Sequence, residues 1–394
     1  MKNKFGINTA TGRHGFFLAA ALLTSLAVAR ADDPHYQQVN LISDQPGMAV
    51  LQDPNLVNAW GVSFGPATPF WVSDNGTGLS TLYSITNDSS GTAHVTKVPL
   101  EVAIPGDGTP TGQVFNNLGG FDSNLFLFVS EDGTISGWHG ALGNKAETLV
   151  AGVSNNVYKG VALVSSSNGP VLLAANFRQA TVDVYGSNSA LMAQFSDSSA
   201  PAGYAPFNVQ AVGDLVFVTF AKQDDLKHDD VAGPGNGLID ILDPQTGMFH
   251  RFATGTDAGG KVKEMNSPWG IALAPDSFGK EGGELLVGNF GSGTIMVFDA
   301  RGRFRGELKG QHGQPVVIDG LWALTFGNGG AGGDPGTLYF SAGPDGESHG
   351  LFGSLAPVKD NGHDGNGHGF GGNGQGGHNQ GDQGNRGGNH GMFH

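Results

Sequence analysis

The chain has 394 residues, 35 acidic against 20 basic, which gives a net charge of −15, and it contains no cysteine. A polyanion of this size is repelled by nucleic acid and by anionic membrane surfaces, so neither is expected as a partner. The lack of cysteine excludes disulfides and thiolate metal sites, so the fold must rest on its own hydrophobic core.

Residues 1–31 read as a secretory signal peptide. Lys2, Lys4 and Arg13 give a basic start, Phe16 to Ala29 is uncharged and apolar, and Ala29-Arg30-Ala31 fits the small-x-small cleavage rule. The apolar run is about 14 residues, short of the roughly 20 that span a bilayer; an uncleaved anchor is the alternative. The expectation is an exported, periplasmic or extracellular chain without a membrane span. Its mature part begins at Asp32, with one large domain over 32–360.

Within that domain, short runs of Val, Leu, Phe, Ile and Thr recur between Asp-Gly, Asn-Gly and Gly-Ser-Gly turn signals, and helix-period patterns are scarce. This is an all-β pattern, and it repeats. Ala59-Trp60-Gly61-Val62, Phe70 to Gly76 and Thr81 to Ile85 form one unit. Pro268-Trp269-Gly270-Ile271, Glu284 to Phe290 and Gly293 to Phe298 form another, and Gly320-Leu321-Trp322-Ala323, Thr337 to Ser341 and His349 to Phe352 a third. Weaker copies begin near Thr111, Lys159 and Asn208. The spacing of about 47 to 60 residues is that of a four-stranded propeller blade.

The expected architecture is a six-bladed β-propeller, with five or seven blades left open by the irregular second and fourth units. The first strand of each unit is expected nearest the channel, where Gly61, Gly160 and Gly270 suit the crowding. The second is expected between blades, as in Leu125 to Val129, Val171 to Ala175 and Leu215 to Phe220. The third is expected to alternate near the rim, as in Ile239, Ile241 and Ile295, Val297. The last unit shows only three strands, so Tyr36 to Ile42 is expected to supply its fourth and close the ring.

Residues 361–394 hold 14 glycines, six asparagines and five histidines. Such a segment has little apolar surface to bury, so a disordered tail is expected, either as a flexible hydrophilic extension or as an imidazole site for Ni²⁺, Cu²⁺ or Zn²⁺.

Ala221-Lys222-Gln223-Asp224-Asp225, Lys227 to Gly233, Asn266-Ser267-Pro268-Trp269-Gly270, Leu286 to Gly291, Ile318 to Leu324 and Glu347 to Gly353 form a run of specific motifs. With Asn40-Leu41, Ser43-Asp44 and Asn58-Ala59-Trp60-Gly61, they make residues 38–356 resemble a family of bacterial exported propellers, some of whose members carry PEP-CTERM sorting tails. This chain lacks the Pro-Glu-Pro motif and final apolar helix of such tails. That family brings no activity to carry over. More distantly, the blades resemble NHL-repeat and gluconolactonase-type propellers.

Three groups of residues are candidates for chemistry. Asp224, His228, Asp229 and Asp230 lie in one long loop and offer oxygen and imidazole ligands for Ca²⁺ or another divalent metal; a solvated acidic loop is the plain alternative. Asn58, Asn208, Asn266 and Asp319 are expected before first strands. Asp74, Asn75, Glu131, Asp132, Asn176 and Asn289 are expected after second strands. If those loops share one face, these residues ring a channel mouth. The resemblance to gluconolactonase-type propellers implies a divalent cation among such side chains, whereas Asx-turns explain them without one. Glu347 and His349 alternate and suit a general base or a ligand, or a structural hydrogen bond. No catalytic nucleophile stands out. Two functions compete: a monomeric module binding a small ligand, glycan or protein at the mouth, and a metal-assisted hydrolase, lactonase or lyase at the same place.

Overall fold

Turn residues between strands and apolar strand interiors fold the chain into six sheets of four or more strands, antiparallel except for the short parallel pairing of Ile42-Ser43 with Leu51-Gln52. The computed structural model describes residues 35–88, 91–255 and 265–358. The N-terminal segment read from the sequence as a signal peptide and the glycine- and histidine-rich C-terminal segment lie outside them. Blade 1 holds Ala59–Ser63, Phe70–Asp74, Leu79–Asn87 and Ala93–Ala103, and blade 2 holds Pro110–Phe115, Phe126–Ser130, Ile135–Trp138 and Glu147–Val150. Blade 3 holds Tyr158–Ser166, Gly169–Asn176, Thr181–Gly186 and Leu191–Phe195. Blade 4 holds Tyr204–Val212, Leu215–Lys222, Gly237–Asp243 and Met248–Thr254, and blade 5 Pro268–Leu273, Leu285–Asn289, Ile295–Phe298 and Phe304–Glu307. Blade 6 combines Leu321–Phe326, Leu338–Ala342 and Leu351–Pro357 with the N-terminal strand Tyr36–Ser43 and the short Leu51–Gln52. Among the described residues there is no α-helix, and none long and apolar enough to cross a membrane.

The ring closes as the repeats imply. Tyr36–Ser43 runs antiparallel to Leu351–Pro357, with Tyr36 opposite Pro357 and Ser43 opposite Leu351. Tyr36 also reaches the neighbouring blade. Its ring stacks on Phe278 at 4.5 Å, and its hydroxyl donates to the Phe278 carbonyl at 2.7 Å and to Glu281. One strand therefore completes blade 6 and fastens it to blade 5.

The third strands do not alternate. Gly237–Asp243 is buried along nearly its whole length and Ile295–Phe298 is buried throughout, because packing between blades extends outward through the third strand. The boundary with solvent falls at the fourth strands, where Leu191–Phe195 and Met248–Thr254 mix exposed and partly covered residues.

Near the axis the first strands touch through backbone. A Cβ on Gly61 would lie 2.9 Å from the Gln113 nitrogen, one on Gly112 2.8 Å from the Gly160 Cα, and one on Gly160 2.7 Å from the Asn208 Cα. On Gly270 it would meet the Leu324 nitrogen at 2.7 Å. This layer of Gly61, Gly112, Gly160, Asn208, Gly270 and Ala323 puts the preceding residues of all six blades in equivalent positions: Trp60, Thr111, Lys159, Phe207, Trp269 and Trp322. Trp60 and Trp322 stack at 3.7 Å, and Trp269 meets Trp322 edge-on at 5.8 Å. With Phe207 and Phe177 they form a buried cluster that plugs the channel. On one side of the plug a cavity of about 320 Å³ is lined by Val62, Phe64, Phe115, Leu163, Gln210 and Leu324 among others.

Candidate functional site

On the other side of the plug lies a polar mouth. In every blade the residue ending or following the second strand bonds the backbone just before the first strand. The amide of Asn75 donates to the Asn58 carbonyl at 3.0 Å, Glu131 to Thr109 at 3.2 Å, Phe177 to Val157 at 2.8 Å and Gln223 to Gly203 at 2.8 Å. Phe290 donates to Ser267, and Gly343 to Gly320, each at 2.9 Å. The two loop sets therefore share one face, and six of their side chains join one network there.

Asn58 joins the plug to that face. Its Oδ1 accepts the indole N–H of Trp60 at 2.8 Å and of Trp322 at 3.3 Å, while its Nδ2 donates to Asn75 Oδ1 and to Glu347 Oε1, both at 3.2 Å. Asn75 Nδ2 donates to Glu131 Oε2 at 3.0 Å. Glu131 Oε1 accepts from the ammonium of Lys159, which also donates to Asp229 Oδ1 at 3.0 Å. His228 Nδ1 donates to the same Asp229 oxygen at 3.0 Å. The chain of contacts Glu347–Asn58–Asn75–Glu131–Lys159–Asp229–His228 crosses blades 6, 1, 2, 3 and 4. Asn58 and Glu347 hold backbone φ of +49° and +66°, a strained region for residues with a side chain.

Lys159 is the centre of this network. Its side chain is 1% exposed, and its Nζ sits 5.0 Å from the centre of the Trp60 ring, where a desolvated cation is stabilised by roughly 2 kcal/mol. Burial disfavours the ammonium, but Glu131 and Asp229 outweigh it and hold the pKa above the usual lysine range. Burial likewise works against the Asp229 carboxylate, yet Lys159 and His228 keep it below the usual range. Glu347 goes the other way: burial, reinforced by the charges of Glu131 and Asp229, pushes it up to about 7. Burial also raises Asp230, whose Oδ2 is enclosed without a hydrogen-bond partner among the described residues. Asp229 Oδ2 and His228 Nε2 make no hydrogen bond to the described residues and are left as acceptors, whereas Glu347 Oε2, equally unbonded, becomes a donor when its carboxyl is protonated.

The other expected residues have different partners. Asp224 Oδ1 caps its own loop by accepting the amides of His228 at 2.8 Å and Asp229 at 3.4 Å. Asp319 accepts the Asp345 amide at 2.8 Å, and His349 turns away from Glu347 to pair with Asp44 at 2.7 Å. Asp74 is the last residue of its strand and accepts the Thr81 amide inside blade 1. Asn176 donates to Asn156 and Asp183 inside blade 3. Asn208 stands within the first strand of blade 4 rather than before it and donates to the Trp269 carbonyl at 2.9 Å. Asn289 accepts the Asn266 amide and donates to Thr294, Asn266 accepts the Gly233 amide, and Asp132 accepts from Thr134.

Glu131, His228 and Asp229 place one ligand-type atom each within 4.8 Å of one another, a spacing one ion can bridge. Two of the three are already bonded to Lys159. While that ammonium is present, the set does not fit a divalent cation.

No protein-family model matches the chain. Uncharacterized protein R648 of Acanthamoeba polyphaga mimivirus is 30% identical over 335 residues, covering 80% of this chain and 78% of the viral protein. Uncharacterized protein L690 of the same virus is 31% identical over 339 residues, covering 81% and 85%. Among solved structures, an alpha-L-arabinanase of Penicillium chrysogenum complexed with arabinobiose superposes with a TM-score of 0.50 at 13% identity, covering 82% of this chain and 98% of the other; that likeness concerns the propeller fold alone.

Proposed function

The chain belongs to the same family as the mimivirus proteins R648 and L690, and from the site it carries we propose that it is an exported binding module whose mouth takes a small, uncharged, hydroxyl-bearing ligand such as the end of a glycan. One observation carries this reading: Asp229 Oδ2 and His228 Nε2 are unbonded acceptors beside a buried ammonium that Glu131 and Asp229 already engage, and the Glu347 carboxyl in the same network accepts when ionised and donates when protonated. Acceptors select a ligand rich in donors. An anion meets carboxylates and finds the Lys159 ammonium engaged. Phe290 is partly covered and stacks on Trp322 at 3.9 Å, adding an aromatic edge to the polar groups, as small-molecule sites commonly combine them. The basic and apolar pattern of residues 2–29 supports export, as does the resemblance to exported bacterial propellers.

A thermal-shift panel tests the reading. Neutral mono- and oligosaccharides and polyols should include members that raise the melting temperature, through binding to the folded state. Citrate, phosphate and glucuronate should not. Stabilisation by the anions alone would overturn it.

A hydrolytic reading of the same mouth rests on Glu347 and Asp229, whose environments push their pKa values apart, the usual mark of an acid and its companion carboxylate. At neutral pH a protonated Glu347 would give its proton to a leaving oxygen. Release of reducing ends from a saccharide that binds, abolished in E347Q, would favour this reading over simple binding.

A further inference from the structure

The mouth has the donor spacing of a metal site and a protein cation where the ion would go. Glu131 and Asp229 supply two of the three donors that converge within 4.8 Å, and both bond Lys159 Nζ. A divalent ion entering there would face the ammonium at short range. Like charges at that range repel strongly in a partly desolvated site, and a divalent ion doubles the repulsion of a monovalent one. Lys159 has no easy retreat. Its side chain is 1% exposed, its ammonium lies over Trp60, and its backbone carbonyl accepts the Trp269 indole N–H at 3.1 Å.

The equivalent position in the other five blades holds Trp60, Thr111, Phe207, Trp269 or Trp322. None of these neutralises a carboxylate. Glu131 and Asp229 belong to the blades on either side of Lys159, so the ammonium performs the bridging that a metal ion performs elsewhere: it lets carboxylates from different loops share one mouth without repelling one another.

We infer that Lys159 is the resident cation of the mouth and its specificity-determining residue, excluding divalent ions and reserving the site for uncharged, donor-bearing ligands. The inference deepens the binding reading above and rests on it, but its test uses no sugar, so the two can fail separately.

The probe is terbium, a calcium-like ion whose emission is sensitised by nearby tryptophan. Titrated into the wild-type chain, it should give little tryptophan-sensitised emission that depends on Asp229. K159M should gain a saturable signal at one ion per chain, with an affinity about tenfold or more above any wild-type site, equivalent to 1.4 kcal/mol or more. The double variant K159M/D229N should lose it; that control also reports ions bound elsewhere, including at the C-terminal histidines. K159R, which keeps the charge, should behave like wild type. If K159M folds only when calcium is added, the ion has taken over the role of the ammonium and the inference stands. Three results overturn it: a wild-type signal at one ion per chain that D229N removes, a folded K159M that gains no signal, or a K159M that stays unfolded with calcium.

Discussion

Lys159 of blade 3 and Asp229 of blade 4 form an ion pair of 3.0 Å that is asymmetric in its exposure: the lysine side chain is 1% exposed and the aspartate 65%. On the other flank the lysine meets Glu131, whose side chain is 13% exposed. Removing one partner of a buried pair costs roughly 3–5 kcal/mol because it strands a buried charge, whereas exposed pairs contribute about 0–1 kcal/mol. E131A should therefore destabilise the protein by about 3 kcal/mol and D229A by about 1 kcal/mol or less. Urea unfolding of the two variants checks the order, and equal costs would mean that Lys159 does not depend on Glu131.

Glu347 makes stability depend on pH. Its pKa rises from an ordinary 4.5 to about 7 in the folded chain, first through burial and then through Glu131 and Asp229, against the pull of Lys159 and Asn58. Folding therefore takes up a proton, and this contribution is complete below about pH 4.5 and is lost as pH rises through about 7. Glutamine keeps the acceptor for Asn58 and cannot ionise. E347Q should melt with wild type at pH 5 and several degrees above it at pH 8, a difference on the order of 3 kcal/mol. A gap that does not change between the two pH values would contradict the burial of this carboxyl.

Tyr36 should be the most sensitive residue of the closing strand. It is buried against Phe278, and its hydroxyl bonds the Phe278 carbonyl and Glu281 across the blade boundary. Y36A removes a core aromatic ring and should cost about 3–5 kcal/mol, and Y36F about 1 kcal/mol for the lost hydrogen bonds. Neighbouring Gln37 and Gln38 are exposed, so alanine there should be near neutral. Thermal melts of the four variants decide it, and a Y36A protein as stable as Q37A would contradict the latch.

The repeated small residue at the axis made the blades legible, because the crowding there admits glycine at 61, 112, 160 and 270 and alanine at 323. The closing strand was legible from the missing fourth strand. The third strands misled: alternation in Ile239 and Ile241 suggests a rim, but neighbouring blades cover both faces. Half of the mouth was legible as well, since Asn58, Asn75, Glu131, His228, Asp229 and Glu347 join one network. Asp224 and Asp319 were claimed instead by nearby amides, as short carboxylates often are, and His349 by Asp44, a partner some 300 residues away in the chain. No motif marks Lys159, although aligning the units on their axial small residue leaves one cation among Trp60, Thr111, Phe207, Trp269 and Trp322. That mismatch was the available signal.

The central claim is that the mouth over Lys159 is a ligand site read by acceptors. Isothermal titration, at pH 7, of the neutral saccharide giving the largest thermal shift, into wild type and D229N, tests it most directly. The account predicts one site per chain, weakened about tenfold or more in D229N, as expected for a lost hydrogen bond to a charged group. Equal affinity in the two proteins would place the ligand elsewhere and contradict it.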